Sequence, residues 1–309
     1  MDTIEKIRQK ARSNKKTVIL PEYDDPRVVE AARIIEKEGI ARPILFTPDM
    51  EDKREKERYI VEYYEMHKAK DVEIAHVREL FEDTLYYAAM MTRELKVDGL
   101  VAGASHTTPD MARAAIRCIG IDDRITIVSS CFIMVVPNCE YGEEGTFVFA
   151  DCGIIPEPNA RQLACISVSA AEMTQKVLGI VPRIALLSYS TKGSAKARSG
   201  ERIAEALETV KEMAPDLLID GELQVDAAIV PEVAKIKYPG SPIGGRANVL
   251  IFPNLEAGNI GYKLVQRLGQ ARAVGPLFLG LKRPASDLSR GCSVEDVVDC
   301  AAAIAIRAQ

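Results

Sequence analysis

A short segment near the end of the chain, Asp287–Asp296, carries side chains suited to chemistry on an anion. It contains the hydroxyl of Ser289, the guanidinium of Arg290 and the carboxylate of Asp296. Ser293 fits the N-cap of a helix, whose free N–H groups and dipole favour anions. Arg290 adds a planar fork for phosphate or carboxylate, and Asp296 lies one turn inside the helix, where it can accept a proton. The spacing predicts group transfer on a phosphorylated or carboxylated substrate.

The same residues also fit a structural interpretation. Ser293 and Asp296 have the N-cap and N3 spacing of a capping box, in which side chains satisfy free backbone N–H groups. Ser-Arg-Gly is also ordinary loop composition. The spacing alone therefore leaves catalysis and helix capping as alternatives.

A second polar turn, Ser188–Ser194, offers hydroxyl groups, the ammonium of Lys192 and a glycine. Such a turn suits an anion. It lacks the spacing of an ATP-binding P-loop, and Gly258–Gly261 lacks the glycine fingerprint of a dinucleotide site. The turn predicts contact with phosphate or, alternatively, only a flexible polar loop.

Short apolar strands alternate with helices along the chain. Thr17–Leu20 precedes a helix that Asp25 caps and Pro26 opens, and Pro43–Phe46 completes a βαβ unit. Three further strand–helix pairs follow: Gly99–Ala102 with Asp110–Ile119, Ile184–Leu187 with Glu201–Met213, and Val249–Phe252 with Ala257–Leu268. This alternation predicts an α/β fold with largely parallel sheets that are covered on both faces.

The composition excludes several classes of protein. With 309 residues, 47% of them hydrophobic and 28% charged, the chain predicts an ordinary globular protein of two domains. A net charge of −5 without a long basic run argues against a nucleic-acid partner. No apolar stretch reaches the length of a membrane span and the amino terminus lacks a signal-peptide core, so a cytoplasmic location without membrane association is expected.

The cysteines and histidines predict neither disulfides nor a metal site. Seven cysteines without CxxC spacing, several of them in apolar runs, are typical of buried reduced thiols. The three histidines have no metal-ligand spacing to these cysteines.

Seven short sequence segments resemble, in the same order, motifs of the phosphate acetyltransferase (phosphotransacetylase) family. They are Asp98–Ala104, Val136–Glu140, Phe149–Cys152, Ser188–Ala195, Asp220–Gln224, Phe252–Lys263 and Ser289–Gly291. The resemblance covers essentially the whole chain and is more specific than any single motif.

The resemblance implies a two-domain, three-layer α/β/α fold similar to that of isocitrate and isopropylmalate dehydrogenases. The first domain would comprise residues 1–140 and 288–309, and the second residues 141–287, with the active site in the cleft between them. The polar stretch Glu140–Gly145 is a plausible place for the first boundary.

The resemblance also implies the reaction, in which acetyl-CoA and phosphate reversibly give CoA and acetyl phosphate. Asp296 would take the thiol proton of CoA, Arg290 would bind phosphoryl oxygens, and Ser289 would donate a hydrogen bond to developing charge. An aspartate is ordinarily about 4.6 pKa units less basic than a thiol, which opposes full proton transfer by about 6 kcal/mol. We therefore expect positive surroundings to activate the thiol, together with proton transfer concerted with attack.

Six further residues are implied as ligands of phosphate or CoA. They are Arg27, Arg113, Ser190, Thr191, Lys192 and Cys139. The alternative for Arg27 is an exposed helix residue, and for Arg113 an intrahelical pair with Asp110. Cys139 is expected near the site without acting as a nucleophile.

Three other functions remain open from the sequence. The chain could be a phosphate butyryltransferase with a wider acyl pocket, a dehydrogenase of the same fold, or a non-catalytic sensor of CoA or acetyl phosphate. The acetyl enzyme is preferred, with acetyl-CoA, phosphate and acetyl phosphate as small-molecule partners. It would act as a homodimer without a metal or a permanently bound cofactor, and CoA would be a substrate.

Overall fold

The computed structural model describes residues 2–68, 72–194 and 198–309. The chain forms two compact units. The terminal unit comprises Glu5–Asp122 and Leu281–Gln309, and the central unit comprises Asp123–Gly280 with the described residues before Glu5.

The chain contains ten strands and thirteen α-helices in its described ranges. The strands are β1 (Thr17–Leu20), β2 (Arg42–Leu45), β3 (Gly99–Ala102), β4 (Ser129–Val135), β5 (Thr146–Ala150), β6 (Arg183–Leu187), β7 (Leu218–Leu223), β8 (Val249–Ile251), β9 (Arg272–Leu279) and β10 (Ala285–Asp287). The helices are α1 (Thr3–Ser13), α2 (Pro26–Lys37), α3 (Lys53–His67), α4 (Ile74–Leu80), α5 (Thr84–Arg93), α6 (Thr108–Ala114), α7 (Tyr141–Glu144), α8 (Ala160–Met173), α9 (Arg198–Met213), α10 (Val225–Ile229), α11 (Pro231–Lys237), α12 (Leu255–Leu268) and α13 (Val294–Arg307). The predicted α/β class is confirmed.

The terminal unit contains four parallel strands in the order β2-β1-β3-β10. All four residues of β3 are buried, which is typical of a parallel strand covered on both faces. Asp25 caps α2 by accepting a hydrogen bond from the backbone N–H of Arg27, and Pro26 occupies the first turn, as the sequence predicted.

The last helix, α13, belongs to the terminal unit. Every residue from Val297 to Ile306 is buried, and all of them except Asp299 are apolar, as expected of a helix that is surrounded by protein. Arg8 of α1 reaches it and donates from Nε to the buried Asp299 at 2.8 Å. This buried pairing joins α1 to α13, the helix that follows the Ser289–Arg290 turn.

The central unit contains six strands in the order β9-β4-β5-β8-β6-β7. Strand β4 runs antiparallel to both β5 and β9, whereas β5, β8, β6 and β7 are parallel. Residues 140–145, where the sequence placed a domain boundary, instead lie in the turn between the paired strands β4 and β5. The chain passes between units at residues 4–5, 122–123 and 280–281, and the last two passages come before the expected boundaries at 140–141 and 287–288.

No helix in the described ranges combines the length and apolar character that a membrane crossing needs.

Candidate active site

Three neighbouring parallel strands of the terminal unit end at the same edge of the sheet. Residue Leu100 of β3 pairs with Ile19 of β1, and Asp287 of β10 pairs with Ala102 of β3. Glu22 follows β1, Gly103–His106 follows β3, and the Ser289–Arg290 turn follows β10. Ligands of open α/β sheets bind at the carboxyl ends of strands, so this edge is the candidate site.

The Ser289–Arg290 turn presents its side chains to solvent. The backbone N–H of Cys292 donates to the carbonyl of Ser289 at 2.8 Å, and that of Gly291 donates to Ser289 Oγ at 3.2 Å. Both Ser289 and Arg290 are exposed. The guanidinium of Arg290 makes no hydrogen bond or ion pair with any residue that the structure describes, so it is free to receive an oxyanion.

Asp296 forms the capping box that the sequence left as an alternative. Its Oδ2 accepts from the backbone N–H of Ser293 at 2.8 Å, and Ser293 Oγ accepts from the N–H of Asp296 at 3.2 Å. Asp296 is half-buried. Its Oδ1 has no hydrogen-bond partner within the described ranges, so capping leaves one carboxylate oxygen available.

Arg27 is occupied by protein acceptors. Its Nε and Nη2 donate to the Asp25 carboxylate at 3.0 and 2.6 Å, and Nη2 donates to the carbonyl of Ala104 at 2.9 Å. Its Nη1 donates to the carbonyls of Arg290 and Cys292 at 2.8 and 3.0 Å. The hydrogen bond from Arg27 holds the pKa of Asp25 below its usual range. Arg27 thus contacts the backbone of the predicted Ser289–Arg290 turn.

His106 bridges two carboxylates beside this turn. Its Nδ1 is 2.7 Å from Glu22 Oε1 and its Nε2 is 3.1 Å from Asp83 Oδ2. Hydrogen bonds to Asp83 and Glu22 raise the pKa of His106 to about 10, against the effect of burial, so both ring nitrogens donate.

Glu22 is buried and accepts hydrogen bonds from several donors of the turn after β3. They come from the backbone N–H groups of Ala104, Ser105 and His106, the Ser105 hydroxyl and the His106 ring. Burial alone would raise the pKa of Glu22, but the hydrogen bonds from His106 and from the turn outweigh it and lower the pKa well below its usual range. An ionised Glu22 therefore orders the turn.

Asp287 is a buried carboxyl at the end of β10. Burial raises its pKa to about 7, although a hydrogen bond with Thr108 opposes the shift. Its Oδ1 has no hydrogen-bond partner among the described residues. A Cβ on Gly103 would lie 2.6 Å from this oxygen and 2.4 Å from the backbone nitrogen of Leu288. Gly103 also has a φ of +114°, which glycine adopts readily. Glycine at this position therefore lets the turn after β3 approach β10.

Arg113 pairs with Asp110 of the same helix, at 2.9 Å between Nη1 and Oδ1. This is the structural alternative that the sequence offered for Arg113.

The Ser190, Thr191 and Lys192 side chains lie in the central unit and are engaged there. Ser190 Oγ donates to Glu222 Oε1 at 2.6 Å, and Thr191 Oγ1 accepts from the backbone N–H of Gln224 at 3.1 Å. Lys192 Nζ lies 2.5 Å from Asp220 Oδ1 and 4.9 Å from the centroid of the Tyr238 ring. Side chains of the segments Ser188–Ala195 and Asp220–Gln224 are therefore in contact. Ala195 itself lies outside the described residues.

Two cysteines lie in or next to the segments that resemble the family. Cys139 is half-buried and packs against the apolar core of the central unit. Burial raises the pKa of the Cys292 thiol to about 11, although Arg27 opposes the shift. Cys292 therefore stays a neutral thiol near pH 7, which does not fit a nucleophile.

No group of three or more His, Cys, Asp or Glu side chains in the described ranges is arranged to hold a metal ion. The sequence reasoning missed the roles of Glu22, His106 and Asp287. Their signal was positional, since Glu22 and His106 follow the strands β1 and β3 and Asp287 ends β10, at the edge where parallel α/β sheets bind ligands.

Comparisons with known proteins agree with the resemblance in the sequence. Residues 2–306 match the family described as phosphate acetyl/butaryl transferase. Curated phosphate acetyltransferases of Thermoanaerobacterium thermosaccharolyticum and Acetivibrio thermocellus are each 47% identical over 328 aligned residues, covering 100% of this chain and 100% and 99% of the relatives. A phosphotransacetylase structure from Streptococcus pyogenes is 37% identical with a TM-score of 0.87, covering 99% of this chain and 98% of that one. The predicted membership is thereby confirmed, and the chain belongs to the phosphate acetyl/butyryl transferase family.

Proposed function

We propose that the protein reversibly transfers an acetyl group between coenzyme A and phosphate. The family makes the chain a transferase, and its full-length relatives are named phosphate acetyltransferases. The observation that supports a site for this reaction is the guanidinium of Arg290 at the carboxyl edge of the terminal-unit sheet, which is exposed and has no partner among the residues that the structure describes. Its planar fork is suited to two oxygens of a phosphoryl group.

In this proposal the CoA thiolate attacks the acetyl carbonyl carbon of acetyl phosphate. The bond from that carbon to the phosphate oxygen breaks, acetyl-CoA forms, and phosphate leaves with the electron pair. Asp296 accepts the thiol proton through Oδ1, the oxygen that capping leaves unused. Arg290 neutralises charge that grows on the leaving phosphate, and Ser289 Oγ donates to the reacting centre.

The remaining predicted ligands stay proposals. Arg113, Ser190, Thr191, Lys192 and Cys139 would contact CoA or phosphate. The first four already have protein partners, so ligand contact would exchange or share those partners. CoA would be a substrate, and no permanently bound cofactor is proposed.

We also propose a cytoplasmic homodimer. None of the seven cysteines, which all lie in the described ranges, forms a disulfide, and this fits a reducing compartment. Helix α12 exposes Ile260, Leu264 and Leu268 along one stripe, with exposed fractions of 58%, 52% and 80%. Exposed apolar stripes of this kind mark association surfaces, and a second copy would cover this one.

The activity is tested by thiol release from acetyl-CoA in the presence of inorganic phosphate. We expect release that requires phosphate and yields acetyl phosphate, and faster turnover with acetyl-CoA than with butyryl-CoA. Binding of CoA without phosphate-dependent release would support a sensor and reject the transferase. Faster turnover with butyryl-CoA would reassign the acyl substrate.

A further inference from the structure

Arg27 connects the loops that follow three parallel strands. A guanidinium has five N–H bonds, and the structure gives Arg27 five short contacts with protein oxygens. Two contacts are with Asp25 after β1, one is with Ala104 after β3, and two are with Arg290 and Cys292 after β10. Arg27 therefore keeps no unused N–H for a substrate anion.

The contacts of Arg27 with the Ser289–Arg290 turn are to backbone atoms. The carbonyls of Arg290 and Cys292 are 263 and 265 residues away in sequence, so local turn chemistry cannot supply these bonds. Hydrogen bonds from a charged donor are stronger than those between neutral groups. They hold the backbone from which the Arg290 side chain extends.

The two arginines thus differ in what their guanidinium groups contact. Arg27 is saturated by backbone and by Asp25, whereas Arg290 is exposed and has no protein partner in the described ranges. Asp25 is itself fixed, because it also caps α2 by accepting from the backbone N–H of Arg27 at 2.9 Å. The planar guanidinium is therefore anchored to a helix terminus on one side and to two loops on the other.

We propose that Arg27 is a positioning residue that acts through Arg290 by holding the turn that carries it, and that it is not a ligand of phosphate or CoA. This inference rests on the proposed function, in which Arg290 binds the phosphoryl group. It replaces the ligand role that the sequence suggested for Arg27. Placement within a fraction of an ångström governs how well a phosphate-binding arginine stabilises the transition state.

The inference is tested with Arg27→Gln, Arg290→Gln and the double variant, assayed at high enzyme concentration for kcat/KM with phosphate. Arg27→Gln should lower kcat/KM about 10- to 100-fold in the wild-type background, the range for lost charge-assisted hydrogen bonds. In the Arg290→Gln background the same change should cost less than about 3-fold, since its effect passes through Arg290. Additive losses would overturn the proposal.

Arg27→Lys separates positioning from charge. A lysine keeps the charge but cannot span Asp25 and three carbonyls, so it should behave like Arg27→Gln. Recovery of kcat/KM to near the wild-type value by Arg27→Lys would indicate a charge-based ligand role and overturn the inference. The control is Arg33→Gln, an exposed arginine on the same helix, which should leave kcat/KM unchanged.

Hydrogen exchange tests the inference without relying on activity. Amides of residues 288–292 should exchange faster in Arg27→Gln than in the wild type or in Arg33→Gln. Unchanged exchange in this segment would reject the positioning role even if the enzyme were impaired. If the wild type lacked phosphate-dependent thiol release but the exchange result held, the proposed function would fail while the contact of Arg27 with the turn would stand.

Discussion

Asp296 can cap a helix and accept a proton because its two carboxylate oxygens have different surroundings. Oδ2 accepts the backbone N–H of Ser293, whereas Oδ1 has no partner among the described residues. The capping bond fixes the side-chain rotamer, which aims the second oxygen without consuming it. The two interpretations that the sequence left as alternatives are therefore compatible in the structure.

The Asp296→Asn variant separates the two roles. Asparagine keeps an oxygen that can accept the capping bond but cannot take the thiol proton, so kcat should fall roughly 10²–10⁴-fold, the range for a lost general base. Stability should change by at most about 1 kcal/mol, since asparagine caps as well as aspartate does. Thermal melting and kcat at saturating substrate are the two measurements. Early melting with wild-type turnover would leave Asp296 as a cap only.

Arg290 is predicted to act through its planar geometry as well as its charge. Arg290→Lys should raise the KM for phosphate and also lower kcat, because an ammonium cannot bind two phosphoryl oxygens side by side. Steady-state kinetics over phosphate concentration measure both parameters, with Arg33→Lys as the matched control. If neither parameter moves, Arg290 does not contact the phosphoryl group.

At the scale of elements, local signals predicted the helix starts and the strands. Asp25 and Ser293 cap α2 and α13 as expected, because a cap depends on residues two or three positions apart. Strands β1 and β3 have the predicted bounds. In the central unit, β4 pairs antiparallel with β5 and β9, which the strand–helix alternation could not reveal because strand pairing depends on distant segments.

The candidate site was predictable only in part, for the same reason. Ser289, Arg290 and Asp296 lie in one segment and could be found by spacing and resemblance. The Glu22–His106 contact joins residues 84 apart, and no local pattern encodes it. The ligand role suggested for Arg27 came from the family resemblance and from its position after β1, and neither can show that protein oxygens already accept from all five of its N–H groups.

The His106 bridge links the turn after β1, the start of α5 and the turn after β3, and it should stabilise the terminal unit in a pH-dependent manner. The folded pKa of about 10 is above the ordinary 6.5, so the stabilisation is complete below about pH 6.5 and is lost as the pH rises through about 10. His106→Gln should therefore cost roughly 1–3 kcal/mol at pH 6 and much less at pH 10.5.

Urea unfolding of the two proteins at both pH values measures this difference. His76→Gln is the matched control, since His76 is exposed and pairs only with Glu79 within the described ranges. A penalty for His106→Gln that is equal at pH 6 and pH 10.5 would show that the bridge does not depend on a charged imidazole. Asp287, which is close enough to affect the titration, is unchanged in both variants.

At the scale of the whole molecule, the exposed stripe on α12 bears on the oligomeric state. Ile260, Leu264 and Leu268 are spaced by four residues, so they form one apolar line along the helix. The opposite side of this helix packs against the core of the central unit through Tyr262 and Val265, so the exposed line lies on the side that the unit does not cover. In a two-fold symmetric homodimer, the same apolar line of a second copy would pack against this one and cover it.

Leu264→Lys should therefore convert the dimer to a monomer, because dimerisation would then place two unpaired ammonium groups in an apolar interface. Light scattering coupled to size exclusion at micromolar concentration gives the mass of the wild type and the variant. Ile236→Lys, at an 84% exposed position on α11, is the control and should remain dimeric. A wild type with the mass of one chain would reject the dimer, and a dimeric Leu264→Lys would place the interface elsewhere. A monomeric Leu264→Lys with unchanged circular dichroism and thermal midpoint would assign the α12 stripe to the interface, because loss of the dimer would then not come from loss of the fold.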